Sequence, residues 1–178
     1  MNLAKCMDIE LRSGRALAAF NAPGFDGMVG IAAASAEVSR PVIIQVSARL
    51  VKKKGAPTVK AWFNTAQEIT GAHCYLHLDH CHDYQILKAC ILEGWDMIMF
   101  DGSQLPISEN CARAKEITAF AHKHGTAVEG EVGPIGGEED GHEADANYAR
   151  DADIIRLSQE TDIDCIAVGF GNVHGEYT

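Results

Sequence analysis

The chain has 178 residues, 47% of them hydrophobic and 22% charged, with a formal net charge of −10. That length suits a single domain with a core of ordinary size, and 25 acidic against 15 basic residues argues against a nucleic-acid partner. No apolar run reaches the roughly 18 residues of a membrane-spanning helix. The start, MNLAKCMDIELRSGRA, lacks the apolar stretch of a secretory signal, and six cysteines without a CxxC pair fit reduced thiols in a cytoplasmic protein.

In chain order, the apolar patterning predicts a helix over 3–13, a strand over 16–20 running into Asn21, and a helix over 25–39. A strand over 42–46 leads to Ser47, and the Lys52-Lys53-Lys54 run reads as a solvated loop before a helix over 58–71. The next strand, 74–78, carries Tyr75-Leu-His-Leu-Asp-His80; alternation puts His77 and Asp79 on one face and leaves His80 just past the last rung. A helix over 83–93, a strand over 96–100 ending at Asp101, and a helix over 108–124 opened by Pro106 or Ser108 follow. Gly94 and Gly125 stand where helices are closed by a left-handed residue. A strand over 126–130 delivers Glu131, the glycine-rich acidic stretch 132–146 reads as a long irregular loop, and a helix over 149–161 precedes a strand over 164–168. A loop that long in a compact domain is usually functional.

Strand–helix alternation of this kind builds parallel sheets with helical crossovers. Six units make either an open doubly wound sheet or three quarters of a (β/α)8 TIM barrel. Polar residues stand at every strand end: Asn21, Ser47, Asp79 with His80, Asp101, Glu131 and, further on, His174. An open sheet gathers ligands at one switch point, whereas a barrel collects reactive groups from nearly every strand at its C-terminal rim. The pattern favours the α/β barrel, with about six of eight units and one incomplete domain over 1–178.

Charge at the end of a buried strand is costly unless it pairs or binds a metal. His80 and His174, with Glu131 and Asp101, form a candidate set for a divalent transition metal with an open position. His82 reads as a helix N-terminal residue, and His73, His122, His124 and His142 as exposed histidines. Asp79 beside the ligand set, and a carboxylate in the glycine-flanked segment 136–141, are candidates for acid–base work. The glycine-rich stretch 169–175 could receive a phosphate on its backbone N–H groups.

In this order and spacing the motifs resemble the class II, metal-dependent ketose-bisphosphate aldolases. They are FN (Phe20-Asn21), PVIIQVS (Pro41–Ser47), HLDHC (His77–Cys81), FDGS (Phe100–Ser103), EN (Glu109-Asn110), EGEVGPIGGEED (Glu129–Asp140) and GNVHGEY (Gly171–Tyr177). The resemblance implies zinc held by His80 and His174, with Glu131 and Asp101 matching positions for a second divalent or monovalent cation. It implies Asp79 as acid/base at the substrate C4 hydroxyl and Glu139 as the mobile-loop acid that exchanges a proton at the donor carbon. Asn21 and Ser47 match substrate positions at the rim, and Gly175 a backbone contact to phosphate. The expected reaction is reversible cleavage of fructose or tagatose 1,6-bisphosphate to dihydroxyacetone phosphate and glyceraldehyde 3-phosphate, in a cytoplasmic homodimer or tetramer. The family's third zinc histidine and further phosphate loops lie on strands seven and eight, beyond Thr178, so a truncated chain with weak zinc binding is expected. Two alternatives stand beside it: a fragment or paralogue acting only in an assembly, and a metal-dependent hydrolase on a similar barrel.

Overall fold

The computed structural model describes residues 2–139, 142–144 and 148–174. The chain opens with α1 (Leu3–Arg12), β1 (Ala19–Asn21), α2 (Phe25–Val38), β2 (Val42–Ser47), α3 (Ala48–Lys54) and α4 (Ala56–Thr70). It continues through β3 (Cys74–Cys81), α5 (Tyr84–Leu92), β4 (Met97–Phe100), α6 (Ile107–Lys123), β5 (Ala127–Val132), β6 (Gly137–Glu139), β7 (His142–Ala144), α7 (Asp151–Glu160) and β8 (Cys165–Val168). Six strands pair in the order β1-β2-β3-β4-β5-β8, every pairing parallel. Consecutive βα units laid side by side form a curled half-barrel, the fold expected from the strand ends. Among the described residues no helix is long and apolar enough to cross a membrane, and no disulfide links the six cysteines.

Two departures from the sequence reading bear on the site. The lysine run is the last turn of a short helix, α3, capped by Ser47, whose hydroxyl accepts from the Leu50 N–H at 3.3 Å. The glycine-rich stretch after β5 is not irregular throughout: β6 and β7 pair as an antiparallel hairpin.

Local signals set the frame. At α5, Gly94 (φ +69°) lets Gly94 N–H reach the Ile91 carbonyl and Trp95 N–H the Cys90 carbonyl; at α6, Gly125 (φ +78°) does the same for His122 and Ala121. These are paired closures in which glycine takes the left-handed conformation a side chain resists. An aspartate just before a strand then pins that strand to its predecessor. Asp96 accepts from Leu76 N–H at 2.9 Å ahead of β4, and Asp164 from Val128 N–H at 2.8 Å ahead of β8. Register fixed in this way decides which residues reach the rim together.

The strands divide their side chains between two faces. Val42, Ile44 and Val46, Leu76 and Leu78, and Ile98 and Phe100 join the cluster under the helices, with Phe63, Leu87, Trp95 and Ile117. On the concave face, Ile43, Tyr75, Met97 and Ala127 meet Leu3 and Cys6 of α1, which closes the floor of the half-barrel. Above that floor the inward positions turn polar.

Candidate metal centre

The register of β3 is the key to the centre. Leu78 pairs with Ile98, but the next partner is Cys81 with Phe100, so Asp79 and His80 share the space opposite one residue of β4. This is a β-bulge, which inserts one residue and re-aims its neighbours. The helix-facing series Cys74, Leu76, Leu78 resumes at Cys81, leaving both Asp79 and His80 on the concave side. His80 therefore lies inside the strand, not past its last rung, at φ +34°. Left-handed backbone at a bulky residue costs on the order of 1–3 kcal/mol and marks sites where the surroundings over-determine it.

The bulge delivers His80 between two carboxylates. Its Nδ1 lies 3.1 Å from Asp101 Oδ2 and 3.1 Å from Glu131 Oε2. Ligand atoms of His80, Asp101 and Glu131 all fall within 4.8 Å of one another, the one such group of three among the described residues. His174 sets its ring against His80 edge to face, centroids 5.3 Å apart. These four line a small pocket with His82, Ser103 and Pro134.

Each ligand has its own anchor. Asp101 Oδ1 accepts from both the N–H and the hydroxyl of Ser103, at 3.0 and 2.7 Å. Glu131 is held through its backbone, whose carbonyl accepts from Asn110 Nδ2 at 2.7 Å, and through Oε1, which accepts from Ile135 N–H at 3.3 Å. Asn110 passes so close to Gly102 that a Cβ there would overlap its amide oxygen. His174 is hung from the hairpin segment: its N–H donates to the Gly136 carbonyl at 2.8 Å, and Gly136 N–H donates to the Asn172 carbonyl at 3.1 Å. Gly137 (φ +93°) leaves no room for a side chain, since a Cβ would fall 2.6 Å from the His174 carbonyl oxygen. Gly137→Ala is therefore expected to displace His174 and weaken metal affinity about 10–100-fold, as loss of an outer support does. A chelator-competition titration of the variant against wild type reads this; unchanged affinity would show that His174 takes no part.

The electrostatics suit a cation. Burial disfavours a charged His80, but hydrogen bonds to Asp101 and Glu131 and the charges of Glu131 and Asp79 override it, pushing its pKa up to about 11. Burial likewise acts to raise Asp101, yet the His80 and Ser103 hydrogen bonds pull it down to about 2. Glu131 Oε2 is buried without a well-formed hydrogen bond. Clustered buried carboxylates demand positive charge, met by a proton on His80 or by a divalent ion taking the ring's lone pair. The donor set, imidazole with carboxylate, fits a transition metal.

Asp79 stands apart from this demand. Its Oδ1 accepts from Gln45 Nε2 at 2.8 Å and its Oδ2 from Asn21 Nδ2 at 3.3 Å. Gln45 also donates to His77 Nδ1 at 3.3 Å, which places the His77 proton on Nε2, 3.3 Å from Glu129 Oε2. His77 is 1% exposed, and burial, with the charge on His80, pushes its pKa down to about 3. Burial and the Asp79 charge push Glu129 up to about 7. A polar layer thus supports Asp79 from below.

The structure brings Asn21, Asp79, His80, Asp101, Glu131 and His174 to one end of the sheet. Ser47 is on the same rim but uses its hydroxyl as the cap of α3. Gly175 and the side chain of Glu139 lie outside the described residues. His82, read as a mere helix-start residue, is part of the site: Nδ1 is 2.7 Å from the Asp101 carbonyl oxygen and Nε2 is 3.6 Å from Asp101 Oδ2. Gln45, His77 and Glu129 were also missed. Each stands two residues before a rim residue (Ser47, Asp79, Glu131) on the same strand face, a period-2 signal legible in the sequence.

The whole chain, residues 1–178, matches the family described as fructose-bisphosphate aldolase class-II. The chain belongs to that family. It is 38% identical over 165 residues to a 6-phospho-5-dehydro-2-deoxy-D-gluconate aldolase of Shouchella clausii, covering 91% of this chain and 56% of that protein. It is 38% identical over 169 residues to a fructose-bisphosphate aldolase of Streptococcus pyogenes serotype M3, covering 93% and 57%. Among solved structures, a candidate fructose-1,6-bisphosphate aldolase from Coccidioides immitis superposes with a TM-score of 0.86 at 25% identity, over 99% of this chain and 63% of that one. This class II aldolase chain therefore spans less than two thirds of the length of these relatives.

Proposed function

We propose that this chain carries the metal and acid–base part of a class II aldolase active site, in a single incomplete barrel domain, cleaving a phosphorylated ketose. The observation behind the reading is the β3 bulge, which turns a metal-type ligand and a separately anchored carboxylate toward the same space. His80, His174, Glu131 and Asp101 would hold zinc, which supplies Lewis-acid polarisation of the substrate carbonyl. Asp79, oriented by Gln45 and Asn21, takes the C4 hydroxyl proton as the C3–C4 bond breaks. Glu139, on the hairpin beside the site, returns a proton to the donor carbon. Asn21 and Ser47 contact substrate at the rim, and the stretch ending at Gly175 receives phosphate.

The relatives' names hold two substrates with shared chemistry. Fructose 1,6-bisphosphate and 6-phospho-5-dehydro-2-deoxy-D-gluconate each place a ketone next to a phosphorylated carbon. They differ at the far end, phosphate in one and carboxylate in the other.

The test supplies the chain with the C-terminal portion of the Streptococcus pyogenes relative, fused or as a separate polypeptide, and follows release of dihydroxyacetone phosphate from each substrate. Release should require zinc, cease on chelation, and fall about 10²–10⁴-fold in Asp79→Ala. Zinc-loaded protein that frees inorganic phosphate and no triose phosphate would replace this reading with a hydrolase.

A further inference from the structure

We propose that His82 is a further metal ligand, which together with Asp101 holds a second divalent transition-metal ion at the mouth of the metal centre. The inference rests on the metal-centre reading for the first ion and adds a residue to it. The inner set is His80, Asp101 and Glu131, whose ligand atoms lie within 4.8 Å of one another, and His82 is not among them. An ion held by His82 is therefore a separate one, seated on the outer side of Asp101.

The local chain geometry aims the ring. His82 follows Cys81, the last residue of β3, and precedes Asp83, whose carboxylate caps α5 by accepting from Gln85 N–H at 2.8 Å and Ile86 N–H at 3.4 Å. It is a single residue pinned between a strand end and a helix cap. Its Nδ1 stands 2.7 Å from the Asp101 carbonyl oxygen, which can only accept, so Nδ1 carries the proton. That hydrogen bond leaves the lone pair on Nε2, the arrangement by which metal-binding histidines are oriented. Nε2 lies 3.6 Å from Asp101 Oδ2. That separation is too long for a hydrogen bond. It is instead the spacing of two donors on one ion, since N and O ligands about 2.0–2.2 Å from a tetrahedral zinc stand roughly 3.3–3.6 Å from each other.

Asp101 has the capacity for two ions. Its Oδ1 is taken up by the N–H and the hydroxyl of Ser103. Its Oδ2 faces His80 Nδ1 at 3.1 Å and His82 Nε2 at 3.6 Å, so one carboxylate oxygen stands between two imidazoles and bridges the ions they hold. The outer side is open to water: the His82 side chain is 36% exposed, and it lines both the small pocket of the metal centre and a cavity of about 510 Å³ beside α3. Water completes the outer ion's shell. With an imidazole among its donors, the position selects zinc or cobalt over magnesium, which prefers oxygen ligands. Having two protein donors, the outer ion binds more weakly than the first, and competition with a chelator matched to the first does not register it.

The experiment titrates the 178-residue chain with zinc by calorimetry and with cobalt by NMR of the histidine ring signals, for wild type, His82→Ala, His82→Asn and His80→Ala. Wild type should take up two equivalents, the second shifting the His82 ring signals, and excess magnesium should not displace it. His82→Ala should weaken the second equivalent about tenfold or more, since even an outer support of a metal site is worth about 10–100-fold, and leave the first in place. His82→Asn separates a ligand from a structural contact. The asparagine amide N–H can reach the Asp101 carbonyl in place of Nδ1–H, but nothing replaces Nε2, so this variant should lose the second equivalent as His82→Ala does. Circular dichroism checks the fold of each variant. Wild-type affinity in His82→Asn, a second equivalent that magnesium displaces, or a single equivalent indifferent to His82 overturns the proposal and leaves the metal centre standing. A His82-dependent equivalent in a chain whose other zinc ignores His80→Ala overturns the metal-centre reading instead.

Discussion

His80→Ala is expected to remove zinc binding from this chain, while Asp79→Ala leaves it in place. The two residues are neighbours in sequence, and the bulge in β3 turns both to the concave face, but their partners differ. His80 faces Asp101 and Glu131, each 3.1 Å from its Nδ1. Without the imidazole, two carboxylates are left to repel one another, and the loss should exceed the roughly 10–100-fold that follows removal of an outer support. Asp79 is tied instead to Gln45 and Asn21. The wild-type site should also show a steep pH dependence. His80 holds its proton up to about pH 11, so an incoming ion must displace it. Apparent zinc affinity should therefore rise with pH between about 6 and 8, by up to about tenfold per unit, with proton release on binding. Competition with a chromophoric chelator measures all three quantities. Equal zinc loss in both variants would mean that Asp79 is a ligand and that its acid–base assignment is wrong.

The isolated chain is expected to self-associate. Among the described residues β1 pairs only with β2 and β8 only with β5 within the main sheet, so each offers a row of backbone donors and acceptors along its outer edge. Beside β1 an apolar groove of about 460 Å³ runs along α2, lined by Ala16, Ala18, Phe20, Ile31, Val38 and Pro41. Phe20 is 50% exposed and Val38 62% exposed, far more than a barrel wall leaves uncovered. Open edges next to apolar surface pair with other chains. The net charge of −10 opposes this, so association should strengthen as salt screens it. Sedimentation velocity over a concentration series should show growth that Phe20→Lys and Val38→Lys reduce. A monodisperse monomer at every concentration, unfolding cooperatively at high temperature, would show that the half-barrel is self-sufficient.

Sequence alone carried the βα repetition, and with it the parallel order, because apolar periodicity and glycine stops are local and survive without tertiary context. It also carried the identity of the rim residues, since polar side chains at the ends of apolar strands have few bland explanations. Asn21, Asp79, Asp101 and Glu131 were legible for that reason. α3 was not, because seven residues ending in three lysines present no buried stripe long enough to read; its cap, Ser47, had already been assigned to substrate. The β6–β7 hairpin was hidden because two three-residue strands among glycines and acids carry no period at all.

What only the tertiary structure decided is the direction of His80. Strict alternation sends it to the helix side, yet Cys81 packs there and His80 turns inward, because β3 has one residue more than β4 between Leu78 and Cys81. The reason is that register is a property of two strands: alternation along one chain says which residues share a face, and only the partner strand says where that alternation slips. The sequence held the ligands, and the neighbouring strand chose which way the central one points.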